Sequence, residues 1–277
     1  TPRLHIRYNP WENAVVRASA GRGKRAANIF AENQHLLASS RDFSIRNTEG
    51  KLYGLQPEIA WNYGVSFIQK FNLFGKSSEV ILDYYVTDFQ NQAVVDLDAS
   101  AQQVLFYNLD GKSFSKSFQA EFSLELVKHL NIKTAYKYFD VQTQFTTGQL
   151  QRALQAKHRF FGNVSFETHI KEQGQQWKFD FTYNWLGAQR LPNTTSNPAA
   201  YQLADYAPSF AVMNAQITRT FSTTFEMYIG GENMGNYKQN NGIVQNENPF
   251  GPYFDSSMLY GPVFGQMYYA GLRFKIK

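Results

Sequence analysis

The side chains best equipped for chemistry lie in one basic stretch and the residues that follow it. Arg22, Lys24 and Arg25, with Arg41 and Arg46 further on, supply guanidinium forks and an ammonium, while Asn28, Glu32 and Asn33 add amides and a carboxylate. Arginine forks match anionic oxygens two at a time. Arg22, Arg25, Asn28, Glu32, Asn33 and Arg41 are therefore candidates for holding a polar, partly anionic ligand. A plainer use of the same cations is ion pairing with Glu32 and Asp42 on a solvated loop.

Other chemistries find less support. His5, His35, His129, His158 and His169 show neither His-x-His nor His-x3-His spacing, so no metal site is expected. Met234, Met258 and Met267 could bind a soft cation, but methionine on strands and loop bases commonly serves as filler. No Ser/His/Asp arrangement and no glycine-rich phosphate loop stands out; Gly21 and Gly23 are too few and open no helix. No catalytic residue and no cofactor is implied. Tyr201, Tyr206, Tyr237, Tyr253 and Tyr260, set among Asn and Gln, suit stacking on a sugar or another flat ligand.

These residues are carried by strands and the connections between them. Alternating runs bounded by Gly, Pro, Asn and Ser predict eleven strands at about 3–9, 12–20, 57–71, 77–91, 113–128, 130–143, 156–167, 176–190, 209–220, 224–235 and 265–276. In 114–126, Phe114, Phe118, Ala120, Phe122, Leu124 and Leu126 share one face, and Ser115, Ser117, Gln119, Glu121, Ser123 and Glu125 share the other. Strand 176–190 sets Trp177, Phe179, Phe181, Tyr183 and Trp185 against Lys178, Asp180, Thr182 and Asn184. The last strand sets Tyr268, Ala270, Leu272, Phe274 and Ile276 against Tyr269, Gly271, Arg273, Lys275 and Lys277. Burying such polar faces in a sandwich core would cost several kcal/mol per unpaired group, so one face is assigned to lipid and the other to a wet interior. Asp83, Asp180, Glu121 and Glu125 then line the interior, as does Arg17. Trp61, Trp177 and Trp185 form an aromatic girdle at the headgroups.

Connections alternate. Tight ones fall at Asn9–Trp11, Asn72–Lys76, Lys128–Asn131, about Lys171–Gly174 and Phe221–Thr223; long ones fall at about 21–56, 92–112, 144–155, 191–208 and 236–264. Short turns on one side and long loops on the other are the pattern of an outer-membrane β-barrel, with the long loops outside the cell. The fold class expected is thus all-β, an antiparallel up-and-down transmembrane barrel in which 1–277 forms one domain. The first loop, as the longest, is expected to form part of a ligand mouth.

Composition agrees. Aromatics make up 16% of the chain although mean hydropathy is negative. No run approaches the roughly 20 apolar residues of a membrane helix, so insertion would be by strands. The absence of cysteine excludes disulfide scaffolds and thiolate metal sites. The net charge of +5 is scattered through turns and loops and gives no reason to expect nucleic acid. An odd antiparallel set would meet parallel at its seam, and an open edge strand invites aggregation. Further N-terminal strands are therefore expected, as is a mature or truncated chain, since Thr1-Pro2-Arg3 opens straight onto a strand.

Three segments carry a family resemblance. Arg17 to Asn33 resembles the strand of TonB-dependent outer-membrane receptors, particularly those of Bacteroidetes-type bacteria, that runs into a long surface loop through Gly21-Arg22-Gly23-Lys24-Arg25. Gly231-Glu232-Asn233-Met234-Gly235-Asn236-Tyr237 is similar to that family's motif at the end of the penultimate strand. Tyr269 to Ile276 resembles its barrel-assembly signal, with Gly271 followed by Phe274 and Ile276, although this chain ends one residue later. The resemblance implies the C-terminal half of a 22-stranded barrel, without its plug. The whole protein would take up a scarce ligand such as a siderophore, cobalamin, metal chelate, glycan or peptide. Its implied partners are the TonB complex acting through the absent N-terminal region, the missing strands and plug, outer-membrane lipid and lipopolysaccharide, and a surface lipoprotein. A passive porin would keep the strand rhythm but would not need the Gly-Arg-Gly and Glu-Asn segments. A barrel enzyme lacks a nucleophile and base.

Overall fold

The computed structural model describes residues 1–46, 49–240 and 242–276. Lys277, assigned above to the polar face of the last strand, lies outside the described residues. Eleven strands form one antiparallel wall in chain order: β1 (Arg3–Tyr8), β2 (Ala14–Arg25), β3 (Glu58–Leu73), β4 (Lys76–Asn91), β5 (Ser113–Val127), β6 (Leu130–Phe145), β7 (His158–Glu167), β8 (Gln176–Leu186), β9 (Phe210–Thr220), β10 (Phe225–Glu232) and β11 (Met267–Phe274). A short strand, Gly148–Gln151, lengthens the wall by folding back on the end of β6. Among the described residues no helix is long and apolar enough to cross a membrane, so any crossing is made by this sheet.

Tight turns join one end of the wall. Between β3 and β4, Phe74 and Gly75 both take positive φ (54° and 74°), the backbone of a type I′ turn whose twist matches its strands. Lys128 and His129 join β5 to β6 with His129 at φ 71°.

Register fixes the faces. On the outer one Val80 lies opposite Phe122, Leu82 opposite Ala120 and Tyr84 opposite Phe118. The same face continues through Val164 opposite Phe181, Phe166 opposite Phe179, and Phe225 opposite Phe274. All seven residues expected outward, Phe114, Phe118, Phe122, Trp177, Phe179, Phe181 and Phe274, share it. Asp83, Gln119, Glu121, Lys133 and Asp180 have the opposite parity, and Lys133 pairs with Glu121 at 3.0 Å. Leu272 is 60% exposed and Phe274 69%, more apolar surface in one stripe than water tolerates, so this face needs lipid. Along β8 the outward side chains run Trp177, Phe179, Phe181, Tyr183, Trp185, with a tryptophan at each end. Eight residue steps span about 26 Å of strand, close to the ~25 Å apolar band of such barrels.

Several boundaries differ from the sequence expectation. Residues 21–25, expected to open the first loop, continue β2: Gly21 pairs with Asn62, Arg22 with Trp61 and Arg25 with Glu58. Glycine is weak in an isolated strand, but a partner as long as β3 holds it there. The first loop therefore starts at Ala26, and the connection from Glu232 to Met267 is longer. Strand 176–190 ends at Leu186, after which Gln189–Arg190 leaves the wall to pair with Tyr206–Ala207. Strand 224–235 ends at Glu232 because Asn233 and Asn236 adopt φ near 50°.

That ending explains the Glu232-Asn233-Met234-Gly235-Asn236 segment. The Asn233 amide nitrogen donates to the carbonyls of Tyr237 (2.7 Å) and Phe264 (3.1 Å), and its oxygen accepts from Tyr237 N–H at 3.1 Å. Asn233 N–H donates to Asn214 Oδ1 at 2.9 Å. One amide thereby fastens both stems of the last loop. At Gly271 the ring of Tyr228 occupies the space of a Cβ, and Tyr269 covers Gly230 in the same way, so the last hairpin interlocks two tyrosines over two glycines.

Parity makes a sharp test. In the complete protein, Phe181→Arg is expected to lower folding stability by about 2–4 kcal/mol by setting a guanidinium on the lipid face. Thr182→Arg, one residue on, should stay within about 0.5 kcal/mol. Urea unfolding in lipid bilayers checks the difference.

Candidate ligand platform at the loop end

A wall one sheet thick, with lipid on one side and water on the other, buries only scattered side chains of its own, such as Ser78, Thr218 and Glu226. The buried apolar core lies instead in the long loops. Ala27, Ile29, Leu36 and Leu55 from the first loop pack with Ala93, Val104 and Phe106 from the second. Backbone joins the same loops: Asp42–Ile45 pairs in parallel with Gln103–Asn108, which pairs with Ala93–Asp96. The result is a three-stranded sheet standing outside the wall.

Ion pairs lock the remaining loops to this core. Arg41, buried in the first loop, donates from Nε to Asp255 Oδ2 of the last loop at 2.8 Å, and its Nη1 reaches the carbonyls of Leu97, Ser100 and Gln103. Arg190 grips Asp98 with two parallel bonds of 2.7 and 2.9 Å, joining the fourth loop to the second. Buried Asp96 accepts from Tyr107 Oη (3.0 Å) and from Thr146 Oγ1 (2.8 Å), bringing in the third loop. Burial, reinforced by the charge of Asp96, pushes the Tyr107 phenol well above its usual pKa, so it stays a donor. All five long loops are thus one interlocked body.

The candidate residues fall in different parts of it. Arg25 forks between Glu58 (2.6 Å) and Glu32 (3.0 and 2.9 Å). Asn28 caps the one-turn helix Ile29–Glu32 by accepting from Ala31 N–H, and Glu32 accepts from Asn28 N–H at 3.3 Å. Asn33 donates to the Ile29 carbonyl at 2.7 Å. These four come together. Arg22 stands apart on β2 and donates to Gln90 at 3.0 Å. Arg41 is buried elsewhere, and its carboxylate partner is Asp255 rather than the neighbouring Asp42. Asp96, Asp98, Arg190 and Asp255 escaped sequence reasoning because their partners lie far away in the chain.

Two openings among the described residues bear on binding. One, of about 190 Å³, lies between the fourth and last loops and is lined by Tyr201, Gln202, Gln245 and Glu247 among others. Tyr201 stacks on Tyr253 with ring centres 5.4 Å apart. Its hydroxyl donates to Glu247 at 2.8 Å, a bond that raises the phenol's pKa. This edge offers a π face, amides and a carboxylate. The other, of about 480 Å³, lies on the wall and is lined by His5, Arg7, Arg17, Ser19, Ser66 and Tyr85 among others. Arg7 and Arg17 stand opposite one another in register, a like-charge pairing that favours an anion between them. Among the described residues no group of three or more His, Asp or Glu is placed to hold a metal ion. The chemistry on offer is reversible binding.

Comparison with known proteins agrees with this geometry. The family model described as TonB dependent receptor-like, beta-barrel, matches residues 1–234. The ferripyoverdine receptor of the outer membrane of Pseudomonas aeruginosa, bound to ferripyoverdine, is 14% identical with a TM-score of 0.65, covering 99% of this chain and 32% of its own. A mutant ferric enterobactin receptor of P. aeruginosa in complex with enterobactin is 15% identical with a TM-score of 0.67, covering 98% and 40%. The ferric-catecholate import receptor of E. coli K12 is 11% identical with a TM-score of 0.63, covering 98% and 34%. At such identities the likeness is of fold alone. The chain spans about a third to two fifths of the length of these structures. Among curated proteins none matches it.

The buried ion pair generates a prediction for the complete protein. Arg41→Ala strands the Asp255 carboxylate and should loosen the loop body by about 3–5 kcal/mol, whereas Arg41→Met with Asp255→Leu should cost far less. Protease cleavage of the loops on intact cells, rapid in the single variant and slow in the double, checks this.

Proposed function

The chain belongs to the TonB-dependent receptor-like β-barrel family of the Gram-negative outer membrane, and from that premise we propose that the whole protein actively takes up a scarce, large nutrient. The observation that supports this reading most is the interlocked loop body, a surface held rigid enough to recognise a ligand above a wall whose inner face is polar. A passive pore needs a wet wall but no such body.

The first loop contributes to the ligand mouth in this reading. Arg25, Asn28, Glu32 and Asn33 shape its outer edge, Arg22 stands at the rim, and Arg41 holds the edge in place from below. Arg7 and Arg17 meet either an anionic group of the ligand or an acidic segment of a plug. Siderophores come first among the ligands to try, because the three structural neighbours are named as siderophore or catecholate receptors. Cobalamin, other metal chelates, glycans and peptides follow. The proposed partners are outer-membrane lipid and lipopolysaccharide, further N-terminal strands and a plug, the TonB complex and a surface lipoprotein. The resemblance of the Arg17–Asn33 and Glu232–Tyr237 segments favours a receptor of the Bacteroidetes type.

The test is uptake by the complete receptor in cells starved of iron, offered radiolabelled ferric chelates one at a time, then cobalamin and oligosaccharides. Uptake should require both the receptor and an energised TonB complex. It should vanish when residues 26–40 are replaced by a Gly-Ser linker, while the barrel still migrates as a folded, heat-modifiable band. Uptake that persists without the TonB complex would identify a porin.

The last strand is proposed as the assembly signal, with Phe274 and Ile276 presenting its lipid face and Gly271 admitting the Tyr228 ring. Phe274→Asp with Ile276→Asp should sharply reduce the folded receptor recovered from outer membranes, because two carboxylates would enter the apolar stripe. Normal recovery would contradict that role.

A further inference from the structure

At the tight-turn end of the wall, two histidines forty residues apart in sequence meet. His129 lies in the turn between β5 and β6, His169 in the connection between β7 and β8. His129 Nε2 is 3.2 Å from His169 Nδ1, with ring centres 4.5 Å apart and planes at 83°. We propose that this pair is a binding site for one divalent transition-metal cation, Zn²⁺, Cu²⁺ or Ni²⁺, on the periplasmic rim.

Geometry carries the assignment. Two nitrogens at about 2.0–2.1 Å from a tetrahedral cation stand roughly 3.3 Å from one another, and the pair already has nearly that separation. The backbones beneath it are fixed. Glu125 Oε1 accepts from His129 N–H at 3.0 Å, and Glu167 N–H donates to the His129 carbonyl at 3.0 Å, tying one turn to the next hairpin. Thr168 N–H donates to the Trp177 carbonyl and Trp177 N–H to Thr168 Oγ1, both at 2.9 Å, which holds the residue before His169. The backbones that carry the two donors are thus set before the cation arrives, and only the rings need turn to aim both lone pairs at it.

Without metal, one ring donates an N–H to the other. Ligation needs a lone pair from each ring, so the donor ring must carry its proton on its other nitrogen when the cation is bound. Water fills the remaining positions. Imidazole donors select zinc, copper and nickel over magnesium or calcium.

The test uses the complete receptor in detergent, purified without a histidine tag and stripped with a chelator. Calorimetry with Zn²⁺ should show one binding event per chain, and Cu²⁺ should give an electron paramagnetic resonance spectrum with coupling to two nitrogens. His129→Asn, which suits the positive φ there, and His169→Gln should each weaken binding by about tenfold or more, because one of the site's two protein donors is gone. His158→Gln, at an exposed histidine bonded to Tyr136, should leave it unchanged. Coupling to a single nitrogen, or equal affinity in wild type and both pair variants, would overturn the proposal, as would no binding event in the wild type. Both histidines lie in turns, so each variant's folded state can be confirmed by heat-modifiable migration.

Discussion

In hydrocarbon every backbone N–H and C=O must find a partner within the protein, because there is no water to take its place. The rest of the structure depends on that constraint. It forces β1 to β11 into an unbroken ladder in which each strand pairs with its neighbours in sequence. The ladder in turn makes side chains alternate, so Phe179 and Phe181 face one medium while Lys178 and Asp180 face the other. A slip of one residue would exchange the two sets everywhere along a strand. The wall thereby keeps its register, apart from irregularities at Ile59–Ala60 and Glu125–Val127, without having a packed interior.

The absence of an interior decides where recognition can arise. The clustered apolar core among the described residues lies in the loops, around Ile29, Leu36, Val104 and Phe106. Charge then extends the apolar contact. Arg41 meets Asp255 across 214 positions of sequence, and Arg190 meets Asp98 across 92. A buried ion pair is seldom stabilising compared with apolar packing, but it is costly to break on one side only. Such pairs suit a body that must choose one arrangement of five separate loops. The wall supplies two opposed faces and the loops supply a fixed shape, from different physical terms.

Much of the wall was legible in the sequence because period-two alternation is a local property. The expected strand 113–128 matches β5 to within a residue, and 57–71 and 77–91 match β3 and β4 nearly as well. Misreadings came where a distant partner overrode local preference. Gly21 and Gly23 look like loop, yet β3 holds them in a strand; Gln189 and Arg190 look like the end of a wall strand, yet they pair with Tyr206–Ala207 while Arg190 reaches Asp98. In the loops, Arg25 with Glu32 could be anticipated, being seven residues apart, with Glu32 closing the one-turn helix that follows Arg25. Nothing near Arg41 announces Asp255, and its neighbour Asp42 offered a misleading local answer. The Glu-Asn segment was visible as a motif, but its role at the stems of the last loop required the positive φ of Asn233 to be seen.

The central claim is that one face of this wall meets lipid and the other water. Single cysteines can be placed at each position from 177 to 186, in a stretch of 277 residues that has none of its own, in a complete receptor with any cysteine elsewhere replaced by serine, and spin-labelled in lipid bilayers. Collision with oxygen, which concentrates in lipid, and with a water-soluble nickel chelate is then measured by electron paramagnetic resonance. Labels at 177, 179, 181, 183 and 185 should favour oxygen, and those at 178, 180, 182 and 184 should favour nickel. Loss of this period of two, or its inversion, would contradict the account.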